Sequence, residues 1–250
     1  MHPILSPLLL PRVIGYGDPS RGGGGSINLT GNLMAYWDME ANGNDSGPRG
    51  NNQTGFGTPT FVAGGKPNNC TNLVAASSQY FEMANNGDIV LSATNFTLAA
   101  WANLATTGGL RRIFGKGNIS TPATFEYALY FNNGAPGRFV FSVGDGVAAT
   151  TVTDTAVSVS TGTWYFVVAQ YNAAAQQISI SVNGNTPVTT AFTGTVLSGG
   201  NTLRLGNDPA GATRNWNGQL DSLGIWKRFL SFAEVTALYN SGNGRNFSQL

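Results

Sequence analysis

From residue 33 onward, apolar and polar positions alternate over short runs separated by Gly, Asn, Ser and Thr. That is the period-two pattern of half-buried strands. The runs are "LMAYW" (33–37), "QYFEM" (79–83), "FTLAAWAN" (96–103), "RRIFGK" (111–116), "YALYFN" (127–132) and "RFVFSV" (138–143), then "WYFVVAQY" (164–171), "QISISVNG" (177–184), "TLRLG" (202–206) and "GQLDSLGIWKR" (218–228). "VNGN" at 182–185 carries the Asn-Gly hairpin signal. Many short strands joined by turn residues predict an all-β sandwich or barrel. One helix is predicted, in "LSFAEVTALYNSG": Ser231 caps it, Glu234 completes a capping box and Gly242 stops it. Phe232, Val235, Leu238 and Tyr239 form its apolar face.

The run at 218–228 contains one residue out of character. With period two, Asp221 shares a face with Leu223 and Ile225, and Leu220, Ser222, Gly224 and Trp226 take the other. An unpaired carboxylate out of water costs several kcal/mol, so Asp221 requires a partner.

Residues 1–30 are different again. "ILSPLLLPRVIGYG" is apolar and broken by proline, and "DPSRGGGGS" has linker composition. The segment is too short to bury its own apolar side chains. It is expected to be either a tail or an arm docking on a neighbouring subunit, with the sandwich occupying 31–250. No Lys or Arg precedes the apolar stretch, and Pro7 and Pro11 interrupt it, so no export signal is expected. No apolar run reaches the roughly 20 residues of a membrane span.

Charge alters the functional picture more than it alters the fold. Charged residues are only 10% of the 250, against about 25% in ordinary globular proteins, and the net charge is +1. The surface is neutral and hydrogen-bonding, without the basic footprint of nucleic-acid binding. With Cys70 and His2 as the only residues of their kinds, an internal disulfide, a cysteine-based zinc site and a Ser-His-Asp system are excluded.

"LMAYWDMEANGNDSGPRGNNQTG" resembles the first motif of laminin G-like domains in the concanavalin A-like lectin/glucanase superfamily. "SSQYFEM", "FTLAAWAN", "RIFGKGN", "GTWYFVVAQYN", "ISISVNG" and "TLRLGND" follow in the family's order, and "WNGQLDSLGIWKRFLSFAEVTALYNSG" resembles its closing signature. The likeness covers about residues 31 to 242. It implies a two-sheet concanavalin A-like jelly-roll sandwich with a short C-terminal helix. It also implies one structural calcium held between the first motif and the closing strand, with Asp221, Asp38 and Asp45 as the matching acids. The other reading of Asp221 is a carboxylate accepting backbone N–H groups from the loop after residue 43.

Glucanases of this superfamily carry a Glu-x-Asp-x-Glu strand motif. Here Asp38 and Glu40 share a face, but positions 36 and 42 are Tyr and Asn, so a non-enzymatic role is expected. Glycan binding needs aromatic platforms beside amides. The candidates are Tyr130 and Asn132 on one strand, and Trp216 with Asn215 in a late loop, whereas Trp101, Phe139, Phe141, Trp164 and Phe166 read as core. Two function classes fit: a virion-surface structural protein, assembling through residues 1–30 and open to glycan contact, or a secreted carbohydrate-binding module. A glycoside hydrolase is the distant third.

Overall fold

The computed structural model describes residues 27–209 and 214–250. Most of the arm predicted over 1–30, and the assembly contact assigned to it, lies outside the described residues. Among the described residues, fifteen strands follow in chain order. They are β1 (Leu33–Trp37), β2 (Thr54–Phe56), β3 (Thr60–Ala63), β4 (Asn69–Leu73), β5 (Tyr80–Met83), β6 (Phe96–Leu104), β7 (Arg111–Lys116) and β8 (Tyr127–Asn132). Then come β9 (Arg138–Gly144), β10 (Ala149–Thr153), β11 (Trp164–Asn172), β12 (Gln177–Val182), β13 (Val188–Ala191), β14 (Leu203–Leu205) and β15 (Gly218–Trp226). Strands β2, β3, β4, β10 and β13 lack clear apolar alternation, which is why the sequence pattern does not predict them.

The strands form two antiparallel sheets packed face to face as a jelly-roll sandwich, as expected. The first runs β13-β12-β11-β6-β15-β4-β3, with β1 also on β15; the second runs β10-β9-β8-β7-β14-β5-β2. One edge of the sandwich is therefore formed by β3 of the first sheet and β2 of the second. Between the sheets lies the main core, which includes Trp37, Phe96, Phe114, Tyr127, Phe141, Trp216 and Ile225. At about 25 cal/mol per Å² of apolar surface removed from water, this layer supplies the dominant stabilisation. A buried ion pair lies at the junction of β7 and β8, with Lys116 Nζ 2.6 Å from Glu126 Oε2 and both side chains fully enclosed. Burial lowers the Lys116 pKa, against the pull of the Glu126 carboxylate.

A second apolar layer covers part of the first sheet's outer face. Trp101, Phe166 and Trp226 lie there under Val235 and Leu238 of α1 (Phe232–Tyr239). Tyr239 stacks on Trp101 at 5.7 Å. The capping box at Ser231 and Glu234 forms as predicted.

Strand β15 corrects the expected phase of its own side chains. Its register against β6 slips between Asp221 and Gly224, and Ser222 adopts a positive φ of 45°. This bulge inserts one residue and reverses the alternation. Leu220 thus joins Leu223 and Ile225 in the inter-sheet core, while Asp221 falls on the outer face with Trp226. The bulge coincides with a change of partner: β15 pairs with β4 over 218–220 and with β1 over 223–226. Asp221 fills the gap between the two ladders.

Candidate functional site

The cover of α1 ends at the Trp101 level, and the next row of the same outer face is open. Antiparallel register places Trp164 opposite Asn103, Asn103 opposite Gln219, Gln219 opposite Asn72 and Asn72 opposite Thr60. Directly opposed residues share a face. Five consecutive strands, β11-β6-β15-β4-β3, therefore present one aromatic, three amides and one hydroxyl in a line. Four inter-strand steps of about 4.8 Å make the row roughly 19 Å long.

Trp164, Asn103, Gln219 and Asn72 are half-buried and Thr60 is exposed. The Trp164 indole donates to Gly64 O at 3.0 Å, which fixes the ring. Asn103 Nδ2 donates to Gln219 Oε1 at 3.2 Å, leaving the Asn103 carbonyl and the Gln219 NH₂ to face outward. A cleft of about 220 Å³ opens beside the middle of the row, lined by Asn72, Asn103 and Gln219 together with Leu104, Ala105, Gly162 and Gly218. Each amide offers a donor and an acceptor side by side, which matches vicinal hydroxyls. The Trp flank offers an apolar face of the kind that packs on sugar C–H groups. None of the five side chains ionises.

The carboxylates expected to hold calcium each accept backbone N–H groups. Both Asp221 oxygens meet backbone N–H groups, one from Lys66 and the other from Ser222 at 2.7 Å. Asp38 Oδ1 accepts Phe247 N–H at 2.8 Å. Asp45 accepts the N–H groups of Tyr36, Gly47 and Asn51, each at 2.9 Å. Calcium takes about six to eight oxygens around one point. Among the described residues, no three acidic, His or Cys side chains converge on one point.

These acids tie separate segments of the chain together. Asp45 shapes the loop after β1, Asp38 holds the C-terminal segment, and Asp221 holds the loop before β4. The donors to Asp221 are thus Lys66 and its own neighbour, rather than the loop after residue 43. Burial, with repulsion from Glu40 and Asp38, pushes the Asp221 carboxyl up to about 8 against its two N–H bonds. Burial also raises Asp38.

The aromatic and amide residues predicted for glycan contact do not form one site. Trp216 is fully buried in the inter-sheet core, and its indole donates to Gln219 O at 3.2 Å. Its polar neighbours mislead because they bind backbone: Asn215 Nδ2 donates to Ala75 O at 3.2 Å, and Asn217 Oδ1 accepts Ala75 N–H at 3.1 Å. Asn215 is itself buried. Tyr130 lies on the second sheet's outer face, 7% exposed, under the Arg112 guanidinium at 4.3 Å. Only Asn132 is exposed, and its Oδ1 accepts Gly134 N–H in the turn that follows.

Trp164, read as core from its sequence, lies half-buried on the outer face of the first sheet. Asn72, Asn103 and Gln219 carry little signal in the sequence. Each is the polar position next to a buried Leu, a weak signal that becomes a row only once the strand order is known.

Residues 75–236 match the sequence profile of the Concanavalin A-like lectin/glucanases superfamily. No curated protein matches the chain in sequence. Among solved structures, the binding domain of Paraclostridial Mosquitocidal Protein 1 is similar at TM-score 0.70 and 16% identity, over 86% of this chain and 53% of that one. The chain thus spans about half of that domain. Domain 4 of AbnA, an extracellular arabinanase from Geobacillus stearothermophilus solved with arabinotriose, is similar at TM-score 0.65 and 16% identity, over 82% of this chain and 97% of that one. The ligand-binding domain of botulinum neurotoxin serotype D, solved with N-acetylneuraminic acid, is similar at TM-score 0.62 and 16% identity, over 84% and 50%.

Proposed function

This chain belongs to the concanavalin A-like lectin/glucanases superfamily, and we propose that it is a non-catalytic domain binding neutral glycan chains. The carrying observation is the uncharged row Trp164–Asn103–Gln219–Asn72–Thr60 with its cleft. A row roughly 19 Å long suits several consecutive sugar units lying across the strands, more than a single terminal sugar. The arabinotriose held by the AbnA domain shows that a short neutral chain is a ligand of one protein with this architecture. Its position there carries no residue over to this chain. The acids Asp38 and Glu40, the nearest approach to a hydrolytic pair, are bonded to Phe247 N–H, Asn69 N–H and Asn246 Nδ2.

Affinity electrophoresis through gels containing arabinan, galactan, xylan or β-glucan tests the reading. Retardation by at least one is expected, and it should be lost in Trp164→Ala and in Gln219→Ala. Retardation should survive high salt, because no ionic contact is involved. A chain that runs freely through all four gels, or one retarded only at low salt, refutes the assignment.

A further inference from the structure

The amide row ends at Thr60 on the edge strand β3, and a second cleft begins beside it. This cleft of about 250 Å³ enters the sandwich between the edge strands β2 and β3. Pro59 and Phe61, the neighbours of Thr60, form one wall; Phe81 and the loop 41–44 form the other. The Phe61 and Phe81 rings stand 6.2 Å apart at 52°. Gln53, the residue before β2, also lines the cleft. By strand alternation its side chain shares the inward face with Gly55, which lies opposite Phe81.

Gln53 is only 6% exposed, and neither its Nε2 nor its Oε1 has a hydrogen-bond partner. Rotating the amide by half a turn would only exchange the two orphan atoms. Buried side-chain amides are normally satisfied, because leaving one unpaired costs the desolvation of both its ends. The fold keeps this one, and keeps space next to it. At Gly55 a Cβ would press on Pro59 Cδ at 3.2 Å and project towards Phe81 Cε1 at 3.4 Å. At Gly43 a Cβ would meet Phe81 Cδ1 at 2.8 Å, so only glycine lets loop 41–44 lie down on the Phe81 ring. A backbone bond from Gln53 N–H to Gly43 O, at 2.8 Å, holds that loop over the amide.

We propose that this cleft is a pocket for a single neutral sugar residue, with the Gln53 amide as its internal hydrogen-bonding group. Sugar hydroxyls satisfy the donor and the acceptor of one amide together, and the two Phe rings face the C–H surfaces. Asn42 and Asn44 supply further amides at the mouth, and no ionisable group lines the cleft. The volume is below the roughly 300 Å³ at which drug-sized pockets begin, which sets the ligand at one ring. The ligand class rests on the glycan reading above; the orphan amide and the cleft do not.

The test is an NMR titration of the full chain with free arabinose, galactose, glucose, mannose and N-acetylglucosamine, following the Gln53 side-chain NH₂ resonances. These are assigned by their absence in Gln53→Leu. At least one sugar should shift them saturably, and Gln53→Leu should abolish binding of that sugar while raising the melting temperature by a few degrees. Gly55→Ala, which narrows the cleft and leaves the amide in place, should weaken the same sugar several-fold. If no sugar moves the Gln53 resonances, or if Gln53→Leu lowers the melting temperature, the pocket is refuted. Trp164→Ala separates the two sites. A monosaccharide response of the backbone amide resonances that vanishes there but persists in Gln53→Leu places the sugar on the amide row, overturning the cleft and leaving the glycan reading intact.

Discussion

Replacing Asp221 by Asn should flatten the pH dependence of folding stability. Burial lifts this carboxyl from 3.8 to about 8, and repulsion from Glu40 and Asp38 adds to the effect. Between those values the unfolded chain has released the proton while the folded chain keeps it. The folded state then binds more protons, so stability is fully present below pH 4 and is lost as pH rises through 8. At about 1.4 kcal/mol per unit, the loss across the window is roughly 5 kcal/mol for the wild type. Asp38 is raised in the same direction, so the informative quantity is the difference between wild type and Asp221→Asn.

The substitution also turns an NH₂ group toward one of two backbone N–H donors, costing about 1–3 kcal/mol. That cost does not vary with pH, so the slope rather than the absolute stability is the readout. Urea denaturation followed by fluorescence of the buried tryptophans, at intervals from about pH 4 to 8, measures it. Calcium or EDTA should leave every curve in place, because the Asp221 oxygens are occupied by N–H groups. A wild-type stability that is flat or rises over this range, a mutant curve parallel to it, or an EDTA-dependent midpoint would each refute the account.

Two further outcomes follow from other buried side chains. Glu126→Gln should destabilise by about 3–5 kcal/mol in urea, because it strands the enclosed Lys116 ammonium, while the double variant Lys116→Met/Glu126→Leu should recover most of the loss. Equal losses in single and double variants would show that the cost is packing and not charge. Trp216→Ala should cost about 3–5 kcal/mol of stability through the cavity it leaves. Its folded fraction should still be retarded by glycan gels to the wild-type extent; selective loss of binding would return Trp216 to the ligand surface.

Much of this protein is legible along the chain because the relevant physics is local. Alternation in "FTLAAWAN" and "WYFVVAQY" marks strands with one face in the core, since a strand has only two faces. Ser231 and Glu234 mark the start of α1, because a capping box closes within four residues. The lack of charge, and the expectation of a hydrogen-bonding surface, likewise follow from composition alone.

Phase and neighbourhood were decided elsewhere. Nothing in "GQLDSLG" announces that Ser222 takes a positive φ, and that single bulge moves Asp221 from the core face to the outer one. It occurs where β15 changes partner from β4 to β1, an event set by strands more than 140 residues earlier in the chain. Trp216 looked exposed among asparagines until those asparagines proved to be bonded to residue 75. The amide row joins residues 60, 72, 103, 164 and 219, and the Gln53 cleft joins the edges of two sheets. Sequence determines which residues can stand on a face, because side-chain direction depends on near neighbours. Tertiary structure alone decides which faces meet, because strand order is set by the burial of the whole core.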